Sequence, residues 1–277
     1  MFVNVIGKNL NDFIPILEKY NLKTDVVIDY DDDDCDVKLA NIKITNNYLV
    51  IAHGGDGTLL GAAHLFKNNE ILPIRDSRTA PVCADHTYEK IIKTYLDKKL
   101  VCNTYPKLVG SASTTKDITQ LYGINDIFIH NVNRVAAVRY RVFIDDELYA
   151  DEIVGDGAGV ATVLGSTAYY RSITNSTFRV GIGLAFSNST EITNHLVLDD
   201  NSIIKLQITR GPAVMVADNV AEQIILKEGD IVEIKKSTKV AKIYGMELFM
   251  CPKCRVLRHP NQYRFLNKSL NKFSKKI

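Results

Sequence analysis

The stretch Tyr48–Phe66, YLVIAHGGDGTLLGAAHLF, decides how the chain is read. Tyr48–Ala52 is short, apolar and partly β-branched, which predicts a buried strand. His53–Gly57 reads as a glycine turn, and Leu59–Phe66 as an apolar helix. A strand, a glycine loop and a helix, in that order, present backbone N–H groups and the positive end of a helix dipole to an anion. Gly54, Gly55 and Gly57 let a ligand approach the backbone without a Cβ in the way. Asp56 lies inside this loop, where a carboxylate repels phosphate unless it binds a metal ion or takes a proton. Thr58 is placed to cap the helix. Alone, the loop equally fits a tight turn with Asp56 as its capping residue.

Outward from this loop, the first hundred residues alternate between strand and helix. Phe2–Ile6, Asp25–Asp29 and Ile71–Ile74 read as strands. Leu10–Tyr20 (interrupted by Pro15) and His86–Leu96 read as helices. The alternation predicts an open, mostly parallel sheet covered by helices, with ligands bound beyond the strand C-termini. The acidic run Asp31–Asp34 with Asp36 reads as a solvated loop, because no glycine-containing calcium loop follows it. After about Leu100 the pattern changes. Asp126–His130, Ala136–Ile144, Leu196–Leu198, Ile203–Thr209, Ala213–Val216, Ile224–Leu226 and Ile231–Lys235 read as strands separated by turns. The expected organisation is an α/β domain over residues 1–100, a β-rich, sandwich-like domain over 101–250, and a tail over 251–277 that packs back on the first domain. The tail from Tyr263 reads as a helix with a solvated lysine face.

The chain has 277 residues, 46% of them hydrophobic, with 34 basic and 32 acidic side chains. That near balance argues against a nucleic-acid groove. No apolar run is long enough to span a membrane. The five cysteines are Cys35, Cys83, Cys102, Cys251 and Cys254. An odd count in a chain of this length does not resemble a secreted disulfide framework, so a cytoplasmic protein is expected. Cys251 and Cys254 form a CPKC motif. A structural zinc site needs two more ligands, and the sequence offers no second CxxC; only His259 is near. The reading is therefore a free or loosely paired thiol pair, with a disulfide fitting a hyperthermophile cytoplasm. No metal-ligating set is assigned.

Three later stretches bear on the glycine loop. Asn125-Asp126, after Gly123-Ile124, stands at a strand start, where a carboxylate and an amide can bond a ribose diol. Gly155–Ser172, GDGAGVATVLGSTAYYRS, offers a glycine-rich entry, an apolar strand Val160–Leu164, and a helix start where Ser166 or Thr167 presents hydroxyls. Tyr169 can stack on a base, and Asp156 is a second acceptor. Asp218-Asn219 ends an apolar strand. Each of these, taken alone, is also a turn.

Together the four stretches resemble the NAD kinase family, in its archaeal-like form that uses ATP or polyphosphate. The matching residues are Gly54-Gly55-Asp56-Gly57-Thr58, Asn125-Asp126 (where the usual second residue is Glu) and the signature Asp156–Tyr169. The resemblance runs from about Leu49 to Met246. The first motif is shared with diacylglycerol, sphingosine and phosphofructokinase-type kinases; Gly165–Tyr169 is the more specific part. The resemblance implies an α/β domain followed by a β-rich domain, with an active site between them that oligomerisation completes. It implies phosphoryl transfer from ATP or polyphosphate to the adenosine 2′-hydroxyl of NAD, with magnesium or another divalent metal. The partners would be NAD, ATP and further copies of the chain as a dimer or tetramer, with no nucleic acid and no membrane.

On this resemblance Asp56 is the base, or it orients the hydroxyl or a magnesium ion. Gly55, Gly57 and Thr58 cradle phosphates and Leu60 lines the pocket. Asn125 and Asp126 hold NAD, Asp156 meets its nicotinamide end, and Thr167, Ala168, Tyr169 and Ser172 contact it further along. Asp218 and Asn219 lie near the substrate. Two departures stand out. A Thr-Pro-Thr-Gly segment is Thr162-Val163-Leu164-Gly165 here, and a glycine-rich run is replaced by Arg75–Ala80. There, Arg75 and Arg78 either bind phosphate or belong to a surface loop. Two other readings share the motifs: a lipid or sphingoid kinase with the GGDGT loop, and a non-catalytic protein that senses NAD or NADP.

Overall fold

The computed structural model describes residues 1–32, 42, 44, 46–113, 118–133, 135–191 and 193–258. They fall into two units: Met1–Asn103 joined by the chain from Lys242, and Thr104–Ala241.

In the first unit, β1 (Phe2–Gly7) leads through α1 (Leu10–Lys19) to β2 (Lys23–Asp29). Strand β3 (Leu49–His53) leads through α2 (Asp56–Leu65) to β4 (Glu70–Ile74), and α3 (Tyr88–Leu96) follows. The order β2-β1-β3-β4 is parallel throughout. This is the predicted α/β alternation, and its cause is visible in the burial. Strand β3 is buried at all five positions, as a strand covered on both faces requires. Helix α1 turns Leu10, Phe13 and Leu17 into the core, with Pro15 on its exposed side. The core gathers Val3, Val5, Ile51, Leu72, Ile74 and Ile92 from the sheet and α3.

The register has one functional consequence. Gly7 lies opposite His53, and His53 opposite Ile74. The C-terminal ends of β1, β3 and β4 are therefore level, and the residues after them emerge side by side: Asn9, the Gly54–Asp56 loop, and Arg75-Asp76. This is the end of a parallel sheet where ligands bind.

The second unit is a pair of antiparallel sheets. Strand β5 (Cys102–Ser113) enters it and pairs with β6 (Ile118–Gly123). One sheet has the order β12-β11-β10-β7-β14-β15, with β7 (Asp126–Asn131), β10 (Gly157–Ala161), β11 (Ile182–Ser187), β12 (Leu196–Leu198), β14 (Ala213–Ala217) and β15 (Ile224–Leu226). The other carries β8 (Val138–Ile144), β9 (Glu147–Gly155), β13 (Ile204–Arg210) and β16 (Ile231–Tyr244). Ile127, Ile129, Tyr140, Val142, Val160, Leu184, Leu206 and Met215, from both sheets, fill the space between them. The β-rich, sandwich-like reading of this region holds. The last residues of β16, Lys242 and Ile243, pair with Glu70 and Ile71 in the first unit, followed by α5 (Met246–Phe249) and α6 (Pro252–Arg258).

Three local expectations change. The strand in the long signature is Gly157–Ala161, not Val160–Leu164, because glycines are what let it pack. A Cβ on Gly157 would lie 1.8 Å from the Ile129 carbonyl oxygen, and one on Gly159 would lie 2.3 Å from the Phe128 ring. Strand β16 runs well past Lys235, through alternating rather than continuous apolar positions. His53 ends β3 rather than opening the turn. Asp33, Asp34, Asp36 and the tail from Tyr263 lie outside the described residues.

Candidate active site

The first cluster is built on the loop after β3. The Gly54 amide donates to the Ile74 carbonyl at 2.8 Å, which ties the loop to β4. Thr58 does not cap α2; the N-cap is Gly55, with no side-chain bond. Thr58 instead lies within the helix, nearly buried, and its hydroxyl occupies the place a Cβ on Gly54 would take, at 2.3 Å. Gly55 is the N-cap residue and Gly57 lies in the first turn of the helix. Leu60 is buried.

Asp56 is the first residue of α2, and its side chain is 67% exposed. Its Oδ1 accepts a 2.8 Å hydrogen bond from Arg75 Nη2. Arg75 is no surface arginine. It is buried, its guanidinium lies 3.8 Å from the centre of the Phe249 ring, and its Nε donates to the Phe249 carbonyl. Arg78 is held otherwise: it pairs with Asp12 and Asp76 and donates to the Asn9 carbonyl. Both arginines are therefore in protein contacts, and Arg75 is the one beside the glycine loop.

Several groups here escaped the sequence reading. Burial alone would raise the Asp76 carboxyl. Hydrogen bonds from the Arg78 amide, the Asn9 side chain and the Tyr88 hydroxyl, with the nearby His53, outweigh it and hold Asp76 below the usual carboxylate range. His53 stacks on Phe13 at 4.0 Å and donates its Nδ1–H to the Lys8 carbonyl at 2.8 Å. Burial lowers its pKa. Arg258 Nη1 is buried without a hydrogen-bond partner among the described residues. Nothing in the spacing of these residues marks them. Cys83, His86, Cys251 and Cys254 do carry a signal, two C-x-x-ligand pairs, and their ligand atoms all lie within 4.8 Å of one another. The second pair is not a CxxC but Cys83-x-x-His86, which supplies the two further ligands that the CPKC motif lacks.

The second cluster belongs to the second unit. Asp218, in a left-handed turn at φ 48°, accepts the amides of Ile124 (2.7 Å), Asn125 (2.8 Å) and Asp126 (3.1 Å). Both of its oxygens thus hold the Gly123–Asp126 turn in shape. Asn219 follows it, exposed. Thr162 joins this turn to the long signature: its hydroxyl donates to the Ile124 carbonyl at 2.6 Å and accepts from the Gly165 amide at 3.1 Å. Gly165 is required there, since a Cβ would lie 2.0 Å from the Asn125 oxygen. Asp126 is buried, and burial first, then the Asp218 charge, pushes its carboxyl up to about 7.

Asp126, Phe128 and His130 share one face of β7, as alternate residues must. Tyr169 lies edge-on to Phe128 at 4.7 Å and 5.6 Å from His130. At the far end of the strand, Asp156 accepts from the side chains of Asn131 (3.3 Å) and Asn188 (2.7 Å). Asp126 and Asp156 therefore lie near the two ends of β7 and mark a track about 16 Å long, by the rise of a strand. Ser166 is buried and donates to the carbonyls of Val163 and Phe178. Thr167, Ala168 and Ser172 are exposed on the 3₁₀ turn and on α4 (Tyr169–Thr174) beside this track.

The parallel sheet with its acidic glycine loop, and the antiparallel unit with its polar track, are the two units of an NAD kinase-like fold. Residues 124–246 match the family model of the ATP-NAD kinase C-terminal domain. An NAD kinase of Clostridium botulinum (strain Alaska E43 / Type E3) is 25% identical over 224 residues, covering 74% of this chain and 75% of that relative. Among solved structures, a yeast NADH kinase complexed with NADH superposes with a TM-score of 0.71 at 19% identity, covering 88% of this chain and 83% of that one. An NAD kinase from Archaeoglobus fulgidus in complex with ATP gives 0.68 at 19% identity, covering 92% and 99%. These two likenesses are likenesses of fold. The chain is thus similar to NAD kinases over most of its length, and the family model covers its C-terminal part.

Proposed function

We propose that this protein is an NAD kinase: it transfers the terminal phosphoryl group of ATP, or of polyphosphate, to the adenosine 2′-hydroxyl of NAD and yields NADP. The relatives it matches across most of its length carry that name, which favours it over a lipid or sphingoid kinase. The observation that carries the mechanism is the position of Asp56, an exposed carboxylate on the first turn of α2, among backbone amides that suit phosphate.

The reaction makes a bond between the ribose oxygen and the γ-phosphorus and breaks the bond to the β-phosphate oxygen. The hydroxyl proton passes to Asp56 or is oriented by it as attack proceeds. Gly55, Gly57 and Thr58 supply amides to the donor phosphates, and Leu60 closes the apolar side of the pocket. Arg75 holds one oxygen of Asp56, fixes its direction and adds positive charge where phosphate charge develops. Arg78 stabilises the loop through Asp12 and Asp76 and is a weaker candidate for phosphate. A magnesium ion would take the second carboxylate oxygen of Asp56, which accepts no hydrogen bond among the described residues, together with donor phosphates.

In the second unit Asn125 and Asp126 take the ribose hydroxyls, Asp156 takes the amide at the nicotinamide end, and Tyr169 offers a ring for stacking. Thr167, Ala168 and Ser172 border the same track. Asp218 acts through the turn it holds, and Asn219 lies next to it. We further propose a cytoplasmic homo-oligomer, on the odd cysteine count and the family's habit. Among the described residues no helix is long and apolar enough to cross a membrane.

A coupled assay for NADP tests this reading. Purified protein is incubated with NAD, magnesium and either ATP or polyphosphate, with Asp56→Asn as control. NADP from the wild type alone supports the proposal and identifies the donor. No NADP from either donor, in a protein that binds NAD by calorimetry, would make it a sensor instead.

A further inference from the structure

We propose that Cys83, His86, Cys251 and Cys254 form a structural zinc site of the Cys₃His type. The proposal stands whether or not the kinase reading does.

The geometry is that of a ligand set. The Sγ atoms of Cys83 and Cys254 are 3.5 Å apart. His86 Nδ1 lies 3.4 Å from the first sulfur and 3.3 Å from the second. A tetrahedral zinc ion with Zn–S of about 2.3 Å and Zn–N of about 2.0 Å sets its ligands roughly 3.5–3.8 Å apart. A disulfide needs sulfurs at about 2.05 Å, far closer than these. All four ligand atoms lie within 4.8 Å of one another, so Cys251 completes the set.

The sequence spacing agrees. Each pair is separated by two residues, the spacing by which one short turn offers two ligands to one ion. Cys83 and His86 lie in the segment between β4 and α3, and Cys251 and Cys254 at the start of α6. The sulfurs also receive backbone donors. The Cys83 amide donates to Cys254 Sγ at 3.3 Å, and the amides of Lys253 and Cys254 donate to Cys251 Sγ. Amide donors of this kind are usual outer-shell partners of metal-bound sulfur. Apolar packing of small free cysteines does not call for an imidazole nitrogen set between two sulfurs. Three thiolates and one imidazole, soft and tetrahedral, select zinc over the hard cations.

The position suggests what the ion does. Cys251 comes two residues after Phe249, whose ring and carbonyl hold Arg75, and Arg75 in turn holds Asp56. A metal clamp between the two chain segments fixes Phe249 against Arg75. Zinc is thus a structural tie that positions Arg75.

The test uses full-length protein with its affinity tag removed. Metal analysis by mass spectrometry is expected to find one zinc per chain. Cys254→Ser and His86→Ala should lower this below about 0.1 per chain, while His86→Cys keeps it, since thiolate can replace imidazole. If those variants fail to fold, the wild type carries the test. After chelation under reducing conditions, cobalt(II) should give the intense visible spectrum of a tetrahedral thiolate site, and zinc should bleach it. Chelation should also lower Tm by ~10 °C or more, because metal binding adds directly to folding free energy. A tetrahedral cobalt spectrum supports the proposal. A weak octahedral spectrum from the reduced wild type overturns it. So does iron in place of zinc, or an intact mass showing a disulfide among these cysteines.

Discussion

Arg75 Nη2 reaches Asp56 Oδ1 at 2.8 Å, joining the residue after β4 to the first residue of α2. The arginine is 8% exposed and the aspartate 67%. Water screens the exposed partner, so the pair itself adds little to stability. Its effect is geometric: it fixes the direction of one carboxylate oxygen.

Asp56→Asn keeps the shape and the Arg75 contact but removes the acceptor for a proton. Turnover is expected to fall at least ~10²-fold, the usual worth of a positioned acid–base group, with NAD affinity nearly unchanged by calorimetry. An equal loss of affinity would sink the assignment of Asp56 as base.

Arg75→Lys keeps the charge and loses the planar fork that stacks on Phe249 while bonding Asp56. We expect kcat to fall by about 10-fold or more, and stability by about 1 kcal/mol for the lost ring contact. Steady-state kinetics with a denaturant titration checks both. A rise in the NAD KM with unchanged kcat would remove Arg75 from phosphoryl transfer.

Two glycines separate stability from function. A Cβ on Gly165 would meet the Asn125 carbonyl oxygen at 2.0 Å, whereas one on Gly55 would meet only Arg75 Nη1, at 3.9 Å. Gly165→Ala should cost about 3 kcal/mol or more, because rigid backbone must move. Gly55→Ala should leave Tm within a few degrees but raise the KM for the phosphoryl donor. Thermal melts and donor titrations distinguish them; equal destabilisation would contradict the steric argument.

Asp126 gives the protein a pH signature. Burial and Asp218 raise its carboxyl to about 7, so the folded state holds this proton more tightly than the unfolded chain. Its contribution to stability is full below pH ~4 and is lost as pH rises through about 7. Asp126→Asn should therefore gain stability relative to wild type between pH 5 and pH 8, by at most about 4 kcal/mol. Urea titrations across that range report it. A constant difference between the two proteins would show that Asp126 does not titrate there.

The legible parts of the site were local ones. Gly54–Thr58 lies within one turn of chain, so strand, loop and helix could be placed from apolar runs and glycines alone. Asn125-Asp126 and Gly165–Tyr169 were likewise found as short motifs. Their linkage was not. Thr162 bonds to both, yet in the sequence it marks only the start of the altered segment Thr162–Gly165. Asp218 reads as a possible ligand contact, and folding spends both of its oxygens on amides 92 to 94 residues away.

The sequence by itself determined the parallel α/β unit, the β-rich unit and the acidic glycine loop, because hydrophobic period and glycine placement act over a few residues. Only the tertiary structure decided that Arg75 is buried on Phe249 beside Asp56, and that Cys83 and His86 meet Cys251 and Cys254. Cys83 and Cys254 are 171 residues apart. The physical reason is that such pairings are set by the docking of a chain end onto a sheet edge. That docking follows from the whole core, and no local pattern encodes it.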